Sequence, residues 1–203
     1  MSLKNVPTEN LIKGIKKAYS NAVSFLDDAY SLSKNKKWAH AYSFCQFAIE
    51  ELSKNRLFFQ IWISRINGDE IDYDAYDSAF KNHIEKSKSS IKDELFFLKV
   101  YKKITGKAWV DKLLKKNQKL MKDVGRLNKL KNESLYVTLK NKDFQSPDEI
   151  ITKEMFDSLY GTAHWRKIIT EAIIKAIEKN IMVIAKMIKE EENKDMEDKQ
   201  RTI

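Results

Sequence analysis

Three short stretches hold the side chains that can do chemistry. "AIEELSKNR", residues 48–56, sets Glu50, Glu51, Lys54, Asn55 and Arg56 within a run otherwise rich in phenylalanine and isoleucine. "FKNHIEK", residues 80–86, supplies His83 and Lys86, and "KNESLYV", residues 131–137, supplies Lys131, Asn132 and Tyr136. Carboxylates and an imidazole can exchange a proton near neutral pH. Arginine and lysine can hold an anion, the former through a planar fork and the latter as a point charge.

Their positions on helices decide which of these groups meet. At roughly 100° per residue, Glu51 falls beside Phe44, Phe47, Phe58 and Trp62 and is the carboxylate expected to be desolvated. Glu50 falls on the other side with Lys54, as an ordinary i,i+4 pair. Arg56 projects onto the stripe of Cys45, Ile49 and Leu52, with Asn55 at its edge. Unpaired charge at such positions costs several kcal/mol, so these groups are expected to join a buried or interfacial polar network. His83, which shares a face with Phe80, Ser87 and Ser90, and Lys86 one turn on are the first candidate partners. Each has a plainer reading: His83 as a satisfied structural histidine, Lys131 as the basic end of a helix that completes its dipole.

The elements that position these groups read as helices throughout. Two Pro and five Gly in 203 residues, against abundant Lys, Leu, Ile and Glu, favour long helices over turn-rich sheets. Apolar spacing places the first from about Thr8, as its N-cap, to "SKNKK", and the second from Trp38 to the "NG" turn at Asn67 and Gly68. A third is expected from about Asp72 to Gly106 and a fourth from Trp109 to Ser134. "LYVTLKNKDFQ" then reads as extended. Ser146-Pro147-Asp148-Glu149 has the form of a capping box with proline at the first helical position, and Thr152 is placed to cap a last long helix whose apolar positions continue through Ala176, Ile184 and Ile188. The expectation is an all-α antiparallel bundle of about five long helices with a short extended segment before the last, in one domain over residues 1–188, followed by a charged, fraying tail over 189–203.

Bulk properties narrow the classes further. No apolar run reaches the length of a membrane span and no leader pattern opens the chain, so a cytoplasmic protein is expected, with no membrane contact. The single cysteine, Cys45, sits on an apolar face and reads as packing. Three scattered histidines have no metal-ligand spacing, and there is no glycine-rich phosphate loop, so neither metal nor other cofactor is expected. The net charge of +9 favours an acidic partner such as RNA or a ribosome surface, or simply a solvated lysine-rich face.

Taken together, "AYSFCQFAIEELSK", "FKNHIEK" and "KNESLYVTLKNKDFQSPDEI" resemble the AbiV family of abortive-infection proteins, a branch of the HEPN superfamily, over about residues 10–185. The resemblance implies a helical homodimer acting in phage defence and engaged by a phage-encoded protein. Many HEPN relatives are metal-independent endoribonucleases with an R-x4-6-H motif. Here no histidine has an arginine at that spacing, and the nearest piece runs from Lys131 to Tyr136, where lysine keeps the charge without the fork and tyrosine is a poor base at neutral pH. The leading expectation is an effector that shuts down host macromolecular synthesis, translation above all. The alternatives are a remodelled ribonuclease and a non-catalytic basic dimer binding a phage protein, RNA or the ribosome. The residues assigned to chemistry are Glu51, His83 and Tyr136, and those assigned to RNA or phosphate are Arg56, Lys86 and Lys131.

Overall fold

The computed structural model describes residues 2–200. The expected inward positions at Ala176, Ile184 and Ile188, the side chain of Ser90, and residues 201–203 lie outside what is described. The remainder is all-α apart from one small hairpin. In order, the elements are a 3-10 turn at Leu3–Asn5, then α1 (Thr8–Lys34), α2 (Trp38–Asn67), α3 (Tyr73–Lys81), α4 (His83–Thr105), α5 (Trp109–Lys122), α6 (Val124–Glu133), β1 (Thr138–Lys140), β2 (Asp143–Gln145), α7 (Pro147–Ile150) and α8 (Lys153–Gln200).

The centre of the molecule is α2. It pairs along its length with α1, receives α8 on a second side, and meets α4, α6 and α7 on others. Near one end Ala22, Leu26 and Ala29 of α1 pack with Ala41, Cys45, Ala48 and Leu52 of α2 and with Phe156 and Ala163 of α8. Toward the other, Leu11 and Ile15 pack with Ile61, Trp62 and Ile177. The α1–α2 contact is close at position 14, a glycine: a Cβ there would lie 3.2 Å from the Phe58 ring, tighter than nine in ten real Cβ contacts. Cys45 is fully buried, and burial pushes its thiol pKa up to about 12, which makes it a packing group.

Helix ends follow local chemistry, with two departures from expectation. Gly68 closes α2 in the left-handed conformation at φ 70°, and the amide of Asp69 donates to the Ser64 carbonyl at 2.9 Å, a Schellman ending. The capping box at Ser146 and Glu149 forms, and the Thr152 hydroxyl accepts from the Met155 amide at 3.3 Å. Thr8, however, is the first residue of α1, with Pro7 in the cap position. The third and fourth expected helices are each split. Asn82 ends α3 and caps α4, its Oδ1 accepting from the amides of Ile84 and Glu85, and Asp123 separates α5 from α6. An asparagine that satisfies two free amides offers the backbone a stop that apolar periodicity does not reveal. The extended stretch is an antiparallel hairpin pairing Leu139 with Phe144. The backbone of α8 enters the charged stretch 189–203, whose separation from the domain as a tail stays an expectation.

Arg65 ties the N-terminal turn to the end of α2. Its guanidinium donates to the carbonyls of Leu3, Lys4 and Val6 and, through Nε, to the Tyr73 hydroxyl at 2.9 Å. The Leu3 amide in turn donates to Asp77 at 2.8 Å.

Because Asn82 sets the first turn of α4, Asn82→Ala is expected to cost about 1 kcal/mol, and Asn82→Asp to keep most of it. Urea unfolding of the two variants measures this; equal losses would show that the break between α3 and α4 is held by packing.

Candidate functional site

Glu50 organises the polar residues that approach α2 from α4 and α6. It is buried, and its two carboxylate oxygens divide between two partners: Oε1 accepts from Lys131 Nζ at 2.7 Å and Oε2 lies 2.6 Å from His83 Nδ1. Lys131 is as buried as Glu50, whereas the His83 side chain is 56% exposed. Lys131 sits on the last turn of α6 and His83 on the first residue of α4, so the contact joins three helices through one carboxylate. The end of α6 is fixed by a second contact, in which the buried hydroxyls of Ser43 and Ser134 meet at 2.7 Å and Ser134 donates to the Lys131 carbonyl.

Lys86 lies one turn beyond His83 and is buried. Among the described residues no side chain hydrogen-bonds to its ammonium. Burial lowers its pKa; Glu50 and Glu51 oppose that shift, and Lys54 and Lys131 add to it. Those four charged groups therefore lie within electrostatic reach of it. The cluster comprises two carboxylates, three ammonium groups and an imidazole with one edge in solvent. An assembly of this kind can hold an anion and present a histidine whose proton is placed by a carboxylate.

The two adjacent glutamates exchange the roles expected of them. Glu50 is the buried hub, while Glu51 is partly buried and bonded to Lys54 at 2.5 Å, at i,i+3. The expected Glu50 to Lys54 pair does not form. Helical projection gives α2 two apolar stripes, but α2 is enclosed on several sides, and the side that carries Glu50 is buried as well, against α4 and α6. Arg56 stands apart from the cluster, half-buried, with Nη2 2.7 Å from the Gln60 amide oxygen when that amide is turned to accept. It is Asn55, one residue earlier, that is buried, with neither amide atom bonded. Tyr136 also stands apart: it is exposed and lines an open cleft of about 320 Å³ with Asn128, Lys129, Asn132, Glu133 and Thr138. Of the six assigned residues, then, the structure gathers His83, Lys86, Lys131 and, at the edge, Glu51 around Glu50.

A second buried network had no signal in the three stretches. Glu94 of α4 accepts from Arg166 Nε of α8 and from the Asn117 amide of α5, each at 2.9 Å. Its members are spread over 72 residues, and only the fold shows that they meet. Among the described residues no group of His, Cys, Asp and Glu is placed to hold a metal ion, and no helix is long and apolar enough to cross a membrane.

Compared with known proteins, the chain matches the family model HEPN_AbiV, described as AbiV, over residues 10–167, most of its length. Neither a curated protein nor a solved structure matches it.

The geometry separates the two glutamates by experiment. Glu50→Ala leaves Lys131 as an uncompensated buried cation and is expected to cost about 3 kcal/mol or more. Glu51→Ala removes a partly solvated pair and is expected to cost under about 1 kcal/mol. Urea unfolding at neutral pH compares them, and a larger loss for Glu51→Ala would overturn the assignment of the hub.

Lys86 gives a test with the opposite sign. Its lowered pKa means that, between the native value and the ordinary lysine value, the unfolded chain binds more protons than the folded one, so stability rises with pH through that window. Lys86→Met is expected to raise the thermal midpoint at neutral pH and to remove this alkaline rise. A destabilised variant would show that attraction to the glutamates outweighs desolvation.

Proposed function

The chain belongs to the HEPN_AbiV family of abortive-infection proteins of phage defence, and from that premise we propose that it is an effector that halts host macromolecular synthesis, chiefly translation, once a phage-encoded protein engages it. It acts in the cytoplasm as a homodimer. The observation that carries the reading is the burial of Lys86, an ammonium with no side-chain hydrogen bond among the described residues and a pKa that burial lowers against the opposing pull of Glu50 and Glu51. A buried charge with no hydrogen-bond partner is more readily explained by a task than by stability. Lys86, Lys131 and Lys54, with the surplus charge of the whole chain, suit a target rich in phosphate such as RNA or the ribosome.

Ribonuclease chemistry is a second reading, and one contact favours it. The 2.6 Å approach of His83 Nδ1 to Glu50 suits a proton on Nδ1, which leaves Nε2 to accept a proton from an RNA 2′-hydroxyl, with Lys86 and Lys131 offsetting phosphate charge. Tyr136, the other expected proton carrier, stands in the outer cleft, so the blocking reading leads.

Amino-acid incorporation and newly formed RNA ends, followed together in phage-infected cells, test both. Wild type is expected to stop incorporation with RNA intact, and Glu50→Gln, His83→Ala and Lys86→Met to let it continue at least several-fold higher. New ends that vanish with His83→Ala would establish the ribonuclease instead. Arrest unchanged in all three variants would remove the site.

A further inference from the structure

The β1–β2 hairpin wears its polarity inside out. Leu139 and Phe144 are a directly opposed pair and so share one face, which Val137 extends by alternation. Among the described residues these are three of the four most exposed large apolar or aromatic residues, at 65%, 72% and 63%. The opposite face carries Thr138 and Gln145, both partly buried, and the pair Lys140 and Asp143. A half-covered antiparallel pair ordinarily turns its apolar side chains inward and its polar ones to water.

Register alone decides which set faces out, since a slip of one residue exchanges the faces. The turn holds the observed register with Asn141 and Lys142 both at positive φ, 53° and 69°. A lysine in that conformation costs about 1 kcal/mol or more. Both ends of the hairpin are tied as well, through buried Ser134 before it and the capping box after it. Two strands alone are marginal in water, and this sheet has no third. The display is thus maintained against local cost.

We propose that the outward face of Val137, Leu139 and Phe144 docks an apolar surface of another protein bordered by carboxylates. The border follows from charge. Exposed Lys140 and Lys142 stand on the hairpin itself and exposed Lys129 lines the cleft beside Thr138, against the carboxylates Glu133 and Asp143, on a chain of net charge +9. Complementary charge draws such a partner in and disfavours a second copy of this chain, which would bring the same cations together. Single-stranded RNA suits the face less well: stacking needs successive rings, and within the hairpin Phe144 is the one ring on that side. The inference stands apart from the shutdown reading and does not rest on it.

The test pans a random displayed peptide library against the purified full chain and against its Leu139→Asp/Phe144→Asp variant. Expected are wild-type-dependent peptides that combine aliphatic or aromatic residues with Asp or Glu. A synthetic copy of one is expected to lose at least tenfold in affinity with the double variant, several-fold with Lys142→Glu, and to weaken with added salt. Thermal melts check that the variants fold, and Phe144→Ala serves if the double variant does not. No enrichment, enrichment unchanged on the variant, or peptides lacking carboxylates would overturn the proposal. So would a dimer dissociated by the same substitutions, or oligouridylate binding abolished by them.

Discussion

One buried carboxylate governs how the smaller helices sit against the central one. Glu50 lies within α2, and its ionised form there requires compensation. Lys131 from α6 and His83 from α4 supply it, each to a different oxygen. Because both partners sit at helix termini, small rotations of α4 or α6 would break the contact, so the carboxylate fixes where those helices end as well as how they pack. The Asn82 cap and the Ser43 to Ser134 contact work to the same result from either side.

The Glu94, Arg166 and Asn117 network does for α4, α5 and α8 what Glu50 does for α2, α4 and α6. The two differ in access. Glu94 and its partners are closed in, while the Glu50 cluster opens to solvent through His83. A closed network fits the fixing of helix register; an open one adds a route for an incoming group. α4 contributes to both, so the two clusters are mechanically joined through a single helix.

Much of the fold was legible because helix signals are local. The apolar spacing of α1 and α2, the glycine ending at Gly68, and the capping box at Ser146 each depend on a few neighbouring residues. The breaks at Asn82 and Asp123 were not legible, since an apolar stripe crosses both without interruption. The three stretches meet in the polar cluster, and there Glu50, not Glu51, is the buried carboxylate. A helical projection ranks faces by their own apolarity, and α2 buries a face of mixed character because other helices cover it. Arg56 was placed by helical projection and Tyr136 by its position at a helix end within the resembling stretch, and neither signal reports tertiary neighbours; the Glu94 network lay outside the three stretches altogether.

The Glu50 to Lys131 contact also orders events in time. The two residues are 81 positions apart, whereas α1 and α2 are sequence neighbours joined by a short turn. On the ribosome, α1 and α2 can therefore pair while Glu50 is still solvated, and the cluster closes only after α6 has emerged. A nascent chain carries the scaffold well before it carries the cluster. The polar cluster that joins α2, α4 and α6 is therefore assembled late in synthesis, on a scaffold already in place.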